Sequence, residues 1–182
     1  MEAPRQMRHA LEFFRKATPA LREPAAEDGA GIWELVRSCK PLDENSMYCN
    51  LIQCDHFSET CVVAEIEEEI AGWVSAYVLP DDPETLFVWQ VAVSEHARGT
   101  GLGSRMLNGL LLREACENIK RLQTTITQEN RASWALFHTF AANRSAPLKS
   151  RPHFTQTGHF RDRQSTEHMI TIDFSEAPGS TA

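Results

Sequence analysis

Apolar positions recur with two different periods along this chain, and the switches between the periods mark its elements. The stretch "TPALREP" (18–24) predicts a short first strand. In "EDGAGIWELVRSCK" (27–40), Ile32, Leu35 and Val36 fall on one side of a helix, with Asp28 at the position of an N-cap. "LDENSMYCNLIQCDHF" (42–57) reads as a loop and then a second helix, with Tyr48, Leu51, Ile52 and Phe57 at helical spacing. The period then shortens. "TCVVAEI" (60–66), the acidic turn "EEE" and "IAGWVSAYVL" (70–79) predict a hairpin. Pro80 and Pro83 separate it from "TLFVWQVAV" (85–93), a nearly unbroken apolar run of the kind a central strand covered on both faces would have.

The helical period returns from Leu102 to Ala115, with Leu102, Met106, Leu107, Leu110 and Leu111 on one side. A strand "LQTTITQ" (122–128), a helix from about Asn130, and two late strands near 154–160 and 167–174 complete the order. No repeat or linker-like stretch interrupts it. The order predicts a single α/β (α+β) domain over residues 18–175, a mixed central sheet of six to seven strands flanked by about four helices. Residues 1–17 are expected to form a flexible tail and 176–182 a second, C-terminal one.

Composition narrows the class. With 182 residues, 42% hydrophobic and 24% charged, the chain can bury a core without staples. A net charge of −7 argues against a general nucleic-acid binder, whose footprint would be basic. No apolar run approaches the roughly 18 residues a membrane span needs. The charged start "MEAPRQMRHALEFFRKATP" is unlike a secretory signal, so a cytoplasmic setting is expected. Five cysteines, an odd number without a CxxC pair, suit reduced thiols. Cys54, Cys61 and His56 lack zinc-ligand spacing, and no metal is expected.

The candidate chemistry begins at "HARGTGLGSR" (96–105), between the apolar run and the amphipathic helix. Amides at a helix start favour anions, and glycines let a phosphate approach the backbone closely. Two common phosphate loops are excluded by counting. A G-x-G-x-x-G fingerprint would need glycine where Ser104 or Met106 stands, and a P-loop would need a Gly-Lys pair the chain lacks.

Arg98-Gly99-Thr100-Gly101-Leu102-Gly103, following "WQVAVSEHA", resembles the R/Q-x-x-G-x-G/A motif of the GNAT superfamily of acetyl-CoA-dependent N-acetyltransferases. The resemblance implies a GNAT fold in which the backbone from Gly99 to Ser104, with Arg98 and Thr100, cradles the CoA pyrophosphate. It implies that the backbone of Val91 and Val93 holds the pantetheine arm and the acetyl carbonyl. "ITQENRASWALFHTF" (126–140) is similar to a second family block, and Asn130 matches its CoA-contacting asparagine. The family's tyrosine, the acid for the departing thiolate, falls on Phe137, which leaves His138 or water for that role. The strand glutamate of many members is also missing from "LFVWQVAV".

From about Pro19 to Ile172 the chain resembles the L-2,4-diaminobutyrate acetyltransferases of ectoine biosynthesis. "IWELVRSCKPLDENSMYCNLIQCDHFSETCVVAE", "LFVWQVAV" and "APLKSRPHF" carry the likeness. It implies acetylation of the 4-amino group of diaminobutyrate by direct transfer in a ternary complex, in a homodimer, with acetyl-CoA as co-substrate. Asp43 and Tyr48 match positions that bind the diamine, Trp89 one that lines its pocket, and Glu167 a carboxylate that contacts an amino group. Glu167 is the expected base, and Cys39 and Cys49 are not expected to act as nucleophiles. Relatives carry a histidine where this chain has Gln164, with His159 and His168 nearby. Acetylation of another diamine or a peptide amine, and non-catalytic sensing of acyl-CoA, are the alternatives.

Overall fold

The computed structural model describes residues 18–175; both expected tails, 1–17 and 176–182, lie outside the described residues. In chain order the elements are β1 (Ala20–Arg22), α1 (Gly29–Ser38), α2 (Met47–His56), β2 (Val62–Ile66), β3 (Glu69–Leu79), β4 (Asp82–Val93), α3 (Leu102–Leu110), β5 (Arg121–Thr127), α4 (Arg131–Asn143), β6 (Leu148–Phe154) and β7 (Glu167–Asp173). The seven strands form one mixed sheet in the order β1-β2-β3-β4-β5-β7-β6, with β4 and β5 parallel. The expected strand and helix numbers are thus met among the described residues.

Backbone contacts group the chain into two compact units. The first runs to Ser75 and resumes over Gln90–Arg113. Its core joins Ile32, Leu35 and Val36 of α1, Cys54 of α2, Val63, Trp73 and Ala92. Trp73 thus faces α1 and α2, and its neighbour Gly72 must face the other way. There a Cβ on Gly72 would lie 2.7 Å from the Met106 sulfur of α3, so a larger residue would have to displace the end of that side chain.

The second unit comprises Ala76–Trp89 and the chain from Glu114 on. Here β5 lies between β4 and β7. Cross-strand partners Leu122–Ile172 and Thr124–Ile170 are buried on one face. Trp134 of α4 packs near His168 on that face, with ring centroids 6.5 Å apart. The partners Thr125–Met169 and Thr127–Glu167 occupy the opposite face.

Several expectations are corrected. Asp28 sits at the N-cap position of α1 but does not cap it with its side chain. Its carboxylate instead accepts from the Ala25 N–H at 2.7 Å and from both Nη atoms of Arg22, so the stronger charged partner takes the cap's acceptor. Helix α2 buries Asn50, Gln53 and Cys54, whereas Tyr48 and Phe57 are exposed. The two amides pair with each other at 3.1 Å, which offsets part of their desolvation. Strand β4 begins at Asp82 and contains Pro83. It is central by position, yet Phe87, Val91 and Val93 are only half-buried and Trp89 is 49% exposed. Helix α3 stops at Leu110 instead of Ala115, and Leu112 is exposed. The penultimate strand lies at 148–154; residues 155–163 form turns, tied by Thr155 and His159.

Candidate active site

In the first unit β4 ends at Val93 and a one-turn helix, Glu95–Ala97, leads into the glycine loop. Gly99 (φ 74°) and Gly101 (φ 80°) are left-handed, a conformation that costs other residues about 1–2 kcal/mol. Space is not what demands glycine here, since a Cβ at either position would meet nothing within 4 Å. The loop is closed by the Thr100 hydroxyl, which donates to the Ala97 carbonyl at 2.7 Å. Gly101 starts α3 without a side-chain cap, and the first helical bond runs from the Arg105 N–H to the Gly101 carbonyl at 3.0 Å. The amides of Leu102, Gly103 and Ser104 therefore precede the ladder, at the positive end of the helix dipole, behind open space. Such a cradle fits a pyrophosphate. Arg98 and Arg105 are exposed beside it, and Arg98 Nε donates to the Val93 carbonyl at 3.2 Å. Cys39 Sγ donates to the same carbonyl at 3.3 Å, so both of its lone pairs are used.

The loop between α1 and α2 belongs to the same unit. Asp43 and Tyr48 are exposed, Tyr48 at 71%, so neither is a core residue. Ser46 caps α2 by accepting from the Cys49 N–H, which fixes the turn that presents Tyr48. Burial holds the Cys49 thiol above its ordinary pKa, and burial with the nearby Asp28 charge pushes Cys54 up to about 12. A residue of this unit was overlooked in the sequence. Gln90, buried in β4, donates from Nε2 to the Asp43 carbonyl at 2.9 Å and accepts from Asn45 at 3.3 Å. Its signal was one amide inside "LFVWQVAV".

In the second unit a groove of about 510 Å³ lies on the sheet face opposite α4. Trp89 lines it, together with Tyr77, Phe87 and Phe154. Tyr77 and Phe87 are in ring contact, with centroids 5.4 Å apart. Gln123, Thr125, Arg151, His153 and Met169 also line the groove, none of them marked by the sequence pattern. The ladder between β4 and β5 covers Thr85–Phe87 against Arg121–Gln123 and, among the described residues, goes no further. Trp89 thus lies beyond the paired stretch. Glu167 is half-buried at the start of β7, opposite Thr127 and Phe154, two residues along the same face from Met169.

The remaining candidates separate. Asn130 caps α4, its side chain accepting from the Ser133 N–H at 3.1 Å. Phe137 is buried, and His138 is exposed and stacked on Trp134. His159 is committed to a turn, where its Nδ1 accepts from the Thr155 N–H at 3.0 Å. His168 pairs with Ile126 and Pro152, so it faces away from Glu167. Gln164 is exposed.

In the first unit the left-handed glycines and the free amides at the start of α3 thus form a cradle suited to a phosphorylated ligand. Over residues 30–141 the sequence matches the model of the Acetyltransferase (GNAT) family. An L-2,4-diaminobutyric acid acetyltransferase of Methylotuvimicrobium alcaliphilum is 50% identical over 152 residues, 84% of this chain and 88% of that protein. One from Chromohalobacter salexigens is 46% identical over 158 residues, 86% and 82%. The solved structure of the diaminobutyrate acetyltransferase EctA from Paenibacillus lautus, in complex with L-2,4-diaminobutyric acid and coenzyme A, superposes with a TM-score of 0.81 at 37% identity, covering 86% of this chain and 95% of its own. The chain belongs to the GNAT acetyltransferases and, within them, to the family of the L-2,4-diaminobutyric acid acetyltransferases.

Proposed function

We propose that this protein transfers the acetyl group of acetyl-CoA to the 4-amino group of L-2,4-diaminobutyrate, giving N4-acetyl-L-2,4-diaminobutyrate, a step of ectoine biosynthesis. The observation that carries this reading is the fold match at 37% identity to an enzyme holding both diaminobutyrate and coenzyme A. The amides of 102–104 and the Gly99–Gly101 turn hold the pyrophosphate. Asn130 offers its NH₂ end to the CoA arm, its oxygen being used by the helix cap. Acetyl-CoA supplies an activated thioester carbonyl. With the Val93 carbonyl engaged, contact with the pantetheine arm and acetyl group falls to Val91 and to the Val93 N–H.

The acceptor sets the harder task. An alkylammonium with a pKa near 10 is only about 0.1% free base at pH 7, a deficit of about 4 kcal/mol. Glu167 takes the proton, directly or through water, so that nitrogen can form the N–C bond as the C–S bond breaks. The thiolate, from a thiol of pKa near 8.5, leaves without an obligatory tyrosine, consistent with Phe137. Asp43 and Tyr48 bind the diamine, and the Trp89 face attracts its cation. Transfer is direct, in a ternary complex.

We place the enzyme in the cytoplasm, as one domain over 18–175; no helix among the described residues is long and apolar enough to cross a membrane. Dimerisation is supported by β6, an edge strand whose residues Lys149–Pro152 are exposed. Purified protein should release CoA from acetyl-CoA on addition of L-2,4-diaminobutyrate, and NMR should find the acetyl group on N4. Turnover with lysine, ornithine or a polyamine but not diaminobutyrate would overturn the substrate, and no turnover with any amine would favour a sensor. Sedimentation at micromolar concentration should give twice the chain mass.

A further inference from the structure

We infer that Gln90 is a positioning residue that sets affinity for the acceptor by holding the Asp43–Asn45 loop to β4. The inference rests on the reading of Asp43 as an acceptor ligand. Within "LFVWQVAV" seven side chains are apolar and one is an amide, 7% exposed. A buried amide is costly unless its hydrogen bonds are made, and this one makes them to a single loop. Nε2 donates to the backbone carbonyl of Asp43 at 2.9 Å, and Oε1 accepts from Asn45 Nδ2 at 3.3 Å.

That loop, between Cys39 and Ser46, has no regular secondary structure. Its beginning is tied by the Leu42 N–H on the Cys39 carbonyl and by Cys39 Sγ on Val93. Its end is fixed where Ser46 caps α2. Between these ties Glu44 meets the exposed cations Lys40 and Arg37, contacts that are worth little. The Gln90 clamp is the buried restraint on residues 43–45, and it grips the main chain of Asp43 while leaving the carboxylate exposed. A carboxylate whose backbone is fixed binds an ammonium without first paying to order the loop.

Gln90→Met keeps length and burial and removes both bonds. We expect KM for diaminobutyrate to rise about five- to tenfold, the loss of roughly one buried hydrogen bond's worth of preorganisation. KM for acetyl-CoA and kcat should stay within twofold, which also certifies the fold. Asn45→Ala cuts the same clamp from the half-buried side, should raise the same KM about two- to threefold, and serves if Gln90→Met does not fold. In an Asp43→Ala background Gln90→Met should add no further rise, because the carboxylate it positions is gone. An unchanged KM in Gln90→Met or Asn45→Ala, or an equal rise in the Asp43→Ala background, overturns the inference while Asp43→Ala itself still raises KM. If Asp43→Ala leaves KM unchanged, the acceptor role of Asp43 falls, and the inference with it.

Discussion

In the proposed reaction Glu167 carries the heaviest demand of any single residue, because the acceptor nitrogen reaches the site protonated. Glu167→Gln keeps the volume and removes the base, so kcat should fall about 10²- to 10³-fold with KM for acetyl-CoA unchanged. Hydroxide can replace the lost base in part. Between pH 7 and 9 the free-amine fraction rises about tenfold per unit, so the variant's rate should climb steeply with pH while the parent's profile is flatter. A thiol-trapping assay of CoA release across that range measures both, and an unreduced rate at pH 7 would remove Glu167 from the role. Glu167 and Trp89 become candidates only through resemblance to a family, since a lone glutamate or tryptophan on a strand has no spacing signature. Gln90 was legible in principle as a polar residue in an apolar run. Its partners, however, lie 45 and 47 positions upstream and on a loop, where no period reaches.

At the scale of elements, the glycine loop and α3 behave as one device. Leu102, Met106, Leu107 and Leu110, though not the half-buried Leu111, form the expected buried stripe because a 3.6 period survives wherever one face packs and the other is wet. Periodicity was weaker where the buried face is not apolar, as on α2. It misled on β4, where a continuous apolar run hides the difference between a covered face and a groove wall: Phe87 and Trp89 look like core residues in sequence and line open space in the fold. The shifted β6 has a simpler cause. Its exposed residues Lys149–Pro152 show no alternation, as befits an edge strand. Gly101→Ala tests the loop. The φ of 80° should cost about 1 kcal/mol of stability, with no steric clash to add to it. Because relaxing that strain re-aims the first amides of α3, KM for acetyl-CoA should rise at least tenfold while KM for diaminobutyrate stays within threefold. Initial-rate kinetics with each substrate varied in turn would show it, and equal effects on both KM values would mean general loosening instead.

For the whole molecule, the pattern of strand and helix was enough to predict the architecture, but no pattern announces which distant charges hold it. Arg22 on β1 donates to both carboxylate oxygens of Asp28, at 2.7 and 2.8 Å, and to Glu65 on β2. One guanidinium thus ties the first strand to the start of α1 and to the next strand. Asp28, with 13% of its side chain exposed, is the member that can least afford to lose its partner. The Arg22 hydrogen bonds hold the Asp28 and Glu65 carboxyls below their usual range, Asp28 aided by the Ala25 N–H. The unfolded chain therefore binds more protons than the folded one as pH falls through about 4, and stability declines with it. The contribution is complete above the unfolded carboxylate values, near pH 5 and higher, and vanishes once the folded-state carboxyls also protonate. Arg22 is itself more than one-third exposed, so screening trims the network to about 1–2 kcal/mol. Arg22→Met should accordingly lower Tm at pH 7 by about 3–6 °C. The gap between parent and variant should narrow steadily below about pH 5 as the parent loses what the variant never had. Thermal scans at pH 7, 5, 4 and 3 give the comparison; a gap that stays constant down to pH 3 would mean that Arg22 stabilises through its packed methylenes and not through charge.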